Sequence, residues 1–183
     1  MRDSRTHGRR GGARRRHERV IGPLALLALL TLARPASAQD VGLPLGTVPG
    51  AVEVEDLEGN AVALSQYVGR KPVLIEFWAT WCPLCAALEP RLHAAKQRHG
   101  DALDVLIIAV GVNQSPRSIK RHLQDHDLPG RVLFDARGRA TRAFQAPTTS
   151  YIVALDASGR VVYTGVGADQ DIAAAAAKAI AAR

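Results

Sequence analysis

The chain is poor in sulfur and in aromatic rings: two cysteines, one methionine and 4% Phe, Trp and Tyr in 183 residues. Two cysteines exclude a multi-disulfide scaffold and a zinc site built from cysteine alone. No apolar run reaches the ~20 residues that a membrane-spanning helix needs. The longest, Val20–Ala33, is 14 residues and is interrupted by Gly22, Pro23 and Thr31. A surplus of one charge is also missing from most of the chain. Residues 1–38 hold nine arginines and two acids, whereas residues 39–183 hold 15 basic and 15 acidic side chains, so the formal +7 sits entirely in the first 38. A neutral body has no electrostatic footprint for a phosphate backbone, which excludes nucleic acid as a partner. The apolar (47%) and charged (22%) fractions are ordinary and exclude wholesale disorder.

The first 38 residues follow the three-part plan of a secretory signal peptide. An Arg-rich stretch is followed by the apolar run and then by Ala36-Ser37-Ala38, with small residues at both positions of an A-x-A cleavage site. The expected product starts at Gln39 and is periplasmic or secreted. An uncleaved leader would instead tether the protein to the membrane. Gln39–Gly50, with Gly42, Pro44, Gly46, Pro49 and Gly50, reads as an extended lead-in, and 51–183 as one domain.

Ala51–Val54 and Ala61–Leu64 flank Gly59-Asn60 and suggest a hairpin. Pro72–Trp78 is apolar on both alternating faces except at Glu76, the pattern of a strand covered on both sides. Cys82–His99 carries Leu84, Leu88, Leu92 and Ala95 at helical spacing, with Pro90 inside as a kink. Asp104–Val112 is a second buried strand. Ser115-Pro116 opens a helix to about His126, Val132–Phe134 is a short strand and Gly138–Phe144 a short helix. Thr149–Leu155 and Arg160–Thr164 form a closing hairpin, and Asp169–Ala182 a last helix. The order β-β-β-α-β-α-β-α-β-β-α predicts a mixed central sheet with helices on both faces.

Chemistry concentrates at Trp81-Cys82-Pro83-Leu84-Cys85. Cysteines three apart in the first turn of a helix share a face and can reach each other as a disulfide. Cys82 falls at the helix start, where free N–H groups favour a thiolate. Cys85 lies one turn deeper. This asymmetry predicts that Cys82 attacks a partner disulfide and Cys85 resolves the mixed disulfide. A metal site would need further ligands, for which His93, His99, His122 and His126 are the candidates. These histidines read as solvated helix residues, and the cluster Arg131, Arg137, Arg139 and Arg142 as a solvated face.

The stretch Phe77-Trp78-Ala79-Thr80-Trp81-Cys82-Pro83-Leu84-Cys85 resembles the active site of the thioredoxin superfamily. The N-terminal hairpin, the approach Leu64–Pro72 and the export signal are more similar to its TlpA/ResA branch of envelope thiol–disulfide oxidoreductases, many of which reduce apocytochrome c. The resemblance implies a three-layer α/β/α thioredoxin-like fold over about 47–183. It implies that Pro147 is a cis-proline facing the cysteines and that Ala146 offers its backbone to substrate. Trp81, Pro83 and Leu84 would form the rest of the docking surface. Glu76, six residues before Cys82, occupies the place of the family's buried acid, where burial would raise its pKa and let it accept the Cys85 proton. The implied cofactor is none beyond the redox-active disulfide. The implied partners are other exported proteins with disulfides or dithiols and a membrane electron donor, with the protein itself a monomer. Pro83-Leu84 differs from thioredoxin's Gly-Pro, and this pair tunes the direction of electron flow. The competing class is a copper-binding metallochaperone on the same fold.

Overall fold

The computed structural model describes residues 41–182. The expected leader therefore lies outside the described residues. Seven strands run β1 Glu53–Glu55, β2 Ala61–Ala63, β3 Val73–Trp78, β4 Asp104–Val110, β5 Arg131–Asp135, β6 Tyr151–Leu155 and β7 Val161–Val166. Among the described residues the α-helices are α1 Pro83–His99, α2 Pro116–His122, α3 Arg139–Ala143 and α4 Ile172–Ala181. The strands form one mixed sheet in the order β2-β1-β5-β4-β3-β6-β7. β3, β4 and β5 are parallel neighbours, and the remaining pairings are antiparallel. This is the expected α/β architecture, with the same order of elements.

β3 lies at the centre because its sequence suits no other place. All six residues are buried, as a doubly covered strand requires. Strand alternation sends Leu74, Glu76 and Trp78 to one face and Val73, Ile75 and Phe77 to the other. Trp78 meets His122 of α2 edge-on at 5.3 Å on the first face. Phe77 packs against Phe144, just after α3, and against Tyr151, both at 5.7 Å between ring centroids, on the second. α1 and α4 pack against each other and α4 against β3, β6 and β7. Leu88, Leu92 and Ala95 of α1, with Ile172, Ala175, Ala176 and Ala179 of α4, supply the buried stripes.

Several boundaries differ from the sequence reading: β1, β6 and α4 start at Glu53, Tyr151 and Ile172, later than expected, and three element ends move as well. β4 stops at Val110, because the chain turns at Gly111, where a side chain would strike the carbonyls of Asp135 and Ala136. α2 ends at His122, since the following residues form turns and not further helix. β7 runs on to Val166, paired with Tyr151. Residues 41–52, the described part of the segment before β1, form no helix or strand, yet they are docked. The Gly46 N–H donates to the Val161 carbonyl (2.7 Å) and the Val161 N–H to that of Thr47 (2.8 Å), covering the start of edge strand β7. Leu43 is buried, and its N–H donates to the Tyr151 hydroxyl at 3.3 Å. No helix among the described residues is long and apolar enough to cross a membrane.

α3 has only five residues, too few to hold itself. Buried Asp135, at the end of β5, ties it down by accepting from the Ala140 N–H (3.1 Å), the Thr141 N–H (2.8 Å) and the Thr141 hydroxyl (2.8 Å). Replacing Asp135 with alanine removes a helix-capping acceptor and strands a buried donor. Urea unfolding should show a loss of about 2–3 kcal/mol, and Asp135→Asn, which keeps one acceptor, a smaller loss.

Candidate active site

The cysteines sit where β3 hands the chain to α1. Cys82 is the N-cap of α1, with extended backbone, and Pro83 opens the helix. The Cys85 N–H donates to Cys82 Sγ at 3.1 Å, and the two sulfurs are joined as a disulfide with Cα atoms 5.3 Å apart. Cys82 keeps 6% of its surface and Cys85 none, so one sulfur is at the rim and the other is sealed below it. Trp81 and Leu84 flank the pair and are each about half exposed, at 47% and 48%. Pro83 is exposed as well.

Trp81 is held in place despite its exposure. Its indole N–H donates to the Val112 carbonyl at 2.9 Å. The loop leading to it is clamped by Gln114, which no sequence signal marked. Its side-chain carbonyl accepts from the Thr80 N–H (3.0 Å), and its amide donates to the carbonyls of Val110 (2.7 Å) and Trp78 (3.4 Å). One side chain thus ties the ends of β3 and β4 to the turn that presents the cysteines.

Beside Trp81 lies a groove of about 520 Å³. Val112, Ala146, Pro147 and Thr149 line it with Trp81, and Arg137 stands on its wall. The sequence-predicted residues Trp81, Ala146 and Pro147 are therefore brought to one surface. Pro147 is exposed, Ala146 half-buried, and the Ala146 N–H is already donated to the Thr141 carbonyl at 2.9 Å.

Glu76 occupies the middle of β3, opposite Ile107 of β4 and Ile152 of β6. It is fully buried, and neither carboxylate oxygen has a hydrogen-bond partner. Burial, with the Glu89 carboxyl of α1 adding to it, pushes its pKa from 4.5 up to about 8. Glu89 is itself raised by burial and lowered by His126 and His93. His93, His99 and His122 are half-buried and so less solvated than the sequence suggested, whereas His126 is exposed. His122 and His126, one helical turn apart in sequence, stack at 4.0 Å, and His122 also meets Trp78. His93 Nε2 lies 2.8 Å from the Asp127 carbonyl. Burial first, then His126, lowers the pKa of His122. The His122–Trp78 and His93–Asp127 contacts join residues more than thirty apart in the chain, so helical spacing alone could not disclose them. Among the described residues no group of three His, Cys, Asp or Glu could hold a metal ion.

A family model described as Redoxin matches residues 43–180. The chain belongs to the Redoxin family. It is 28% identical over 133 residues to the thioredoxin-like protein YneN of Bacillus subtilis, covering 72% of this chain and 76% of that one. It is 26% identical over 161 residues to the thiol-disulfide oxidoreductase ResA of Geobacillus thermodenitrificans, covering 84% and 90%. Among solved structures, the thioredoxin domain of a thiol-disulfide oxidoreductase from Bacteroides vulgatus superposes with a TM-score of 0.65 at 20% identity, over 75% of this chain and 99% of that one. The chain is thus a TlpA/ResA-like member of the thioredoxin superfamily and a thiol–disulfide oxidoreductase, and it carries a CxxC pair, Cys82 and Cys85, joined as a disulfide.

Glu76 makes stability depend on pH. Its folded pKa, about 8, is above its ordinary 4.5, so the folded state holds its proton more tightly. Stability is therefore greatest below about pH 4.5 as far as this group is concerned, and falls as pH rises towards 8. At ~1.4 kcal/mol per pH unit, the difference between 4.5 and about 8 caps the effect at roughly 5 kcal/mol. Denaturant titrations of the oxidised protein at pH 5 and pH 8.5 should show this decline, and Glu76→Gln should flatten it and be the more stable at pH 8.5. An equal decline in the variant would assign it to other groups.

Proposed function

We propose that this protein is an exported reductant that transfers two electrons from the Cys82–Cys85 dithiol to disulfides in other envelope proteins. The observation that carries the reading is the unequal burial of the two sulfurs beneath an exposed, pinned Trp81. Export rests on the leader reading of residues 1–38. In the reduced protein, the Cys82 thiolate at the start of α1 attacks one sulfur of the partner disulfide and expels the other as a thiolate. The new bond is a mixed disulfide between Cys82 and the partner. Cys85 then gives its proton, directly or through water, to Glu76 in its ionised form, a minority at neutral pH because the group holds its proton to about pH 8. The Cys85 thiolate attacks Cys82 Sγ, releases the partner's second thiolate and closes the Cys82–Cys85 disulfide. A membrane electron donor restores the dithiol by the reverse exchange, supplying the two electrons. No other cofactor is needed.

The groove beside Cys82 suits an extended segment of substrate. Trp81, Pro83 and Leu84 would cover apolar side chains, while Pro147, in the cis form that the resemblance implies, and the Ala146 carbonyl would pair with its backbone. A neutral body, and a cysteine pair of which only Cys82 reaches the surface, favour action as a monomer on a broad set of exported thiol proteins, apocytochrome c among them.

The test is to trap and to time. Cys85→Ser should accumulate a mixed disulfide with a reducible protein such as insulin, and Cys82→Ser should form none. In the reduced protein a limiting alkylating agent should modify Cys82 first; prior modification of Cys85 would reverse the roles. Glu76→Gln should slow the resolving step by about 10²-fold while sparing the first attack, measured separately by stopped flow across pH. A reduction potential near about −270 mV would support a reductant, and one near about −120 mV would make the protein an oxidant instead.

A further inference from the structure

The groove beside the cysteines contains one charge. Of the side chains that line it, only Arg137 is ionisable. Arg137 is exposed, and among the described residues it makes no hydrogen bond or ion pair. The nearby acids do not satisfy it. Asp135 is buried and committed to the start of α3 through Ala140 and Thr141. Glu53 and Glu55 line the next cleft with Arg137 and Arg139, but neither forms an ion pair there. Trp81, Val112 and Pro147, which line the same groove, are apolar. An unpaired guanidinium in a groove that apolar side chains also line is a recognition element for a segment that carries a carboxylate next to an apolar residue. The apolar lining strengthens its pull relative to open water.

We propose that Arg137 selects the substrate: the partner's reactive cysteine lies in an extended acidic segment, whose Asp or Glu pairs with the Arg137 guanidinium while a neighbouring apolar side chain rests on Trp81. The proposal rests on the assignment of this groove as the substrate surface and adds to it the chemistry of the substrate. It treats one arginine of the cluster 131, 137, 139 and 142 differently from the rest. Arg131 lies over the Tyr67 ring at 5.9 Å, and Arg139 and Arg142 line clefts away from the cysteines.

The experiment uses the full chain in its reduced form. Short peptides with leucine and cysteine, differing only in a Glu, Gln or Lys beside the cysteine, are supplied as mixed disulfides with thionitrobenzoate. Attack of Cys82 on the peptide sulfur expels the coloured thiolate, which stopped flow records. The wild type should react in the order Glu, Gln, Lys, with about a five- to twentyfold span at low ionic strength that shrinks with salt. Arg137→Gln should flatten the order and Arg137→Glu should invert it. Arg139→Gln removes the same charge from outside the groove and should keep the wild-type order. Absence of any order in the wild type, or the same order in Arg137→Glu, would overturn the proposal while leaving the exchange chemistry intact. Failure of the wild type to react with every peptide would overturn the substrate-surface assignment and this proposal with it.

Discussion

Strand β3 is covered on both faces along its whole length, and the active site is a consequence of that burial. A strand so placed has no solvent side on which to carry a carboxylate, yet it carries Glu76. With both oxygens unpartnered and Glu89 of α1 nearby, the carboxyl holds its proton to about pH 8, nine residues before the sealed Cys85 in the sequence. In water the same residue would be an ordinary carboxylate. The strand also ends abruptly at Trp78, so the next residues must leave the sheet, and the helix that follows begins at Cys82. Its free N–H groups then meet a sulfur, as the contact from Cys85 N–H to Cys82 Sγ records.

Exposure of apolar residues around the cysteines fits the same plan. Trp81, Leu84 and Val112 are among the few large apolar side chains left in solvent, and they cluster at the end of the sheet where β3 and β4 stop. Such a patch costs little stability when it is held rigid, and a rigid patch loses little entropy when a partner covers it. Gln114 and the Trp81–Val112 hydrogen bond supply the rigidity. The groove is then completed from elsewhere in the chain, by the turn after β5 and the segment before β6.

Periodicity and punctuation made most of the architecture legible. The runs at Val73–Trp78 and Asp104–Val110 are too uniformly apolar for an exposed sheet, and Ser115-Pro116 marks its helix start in the fewest possible residues; Ser115 does accept from the Ser118 N–H at 3.3 Å. The cysteine spacing and the buried acid were readable because both are local: a helix turn and a strand pattern. Ends were harder. Val112 is as apolar as Val110, and nothing in its own neighbourhood tells that Gly111 must pass close to the Asp135 and Ala136 carbonyls.

The sequence by itself determined the elements, the central place of β3, the dithiol and its position at a helix start, since each follows from side chains within a few residues of one another. The tertiary structure alone decided what surrounds them. It set Gln114 across two strand ends, stacked His122 on His126 against Trp78, docked Leu43 under Tyr151 and left Arg137 unpaired beside Pro147. Apart from the local His122–His126 stack, these contacts join residues far apart in the chain, and a long-range contact is specified by how whole elements pack, which no local pattern records.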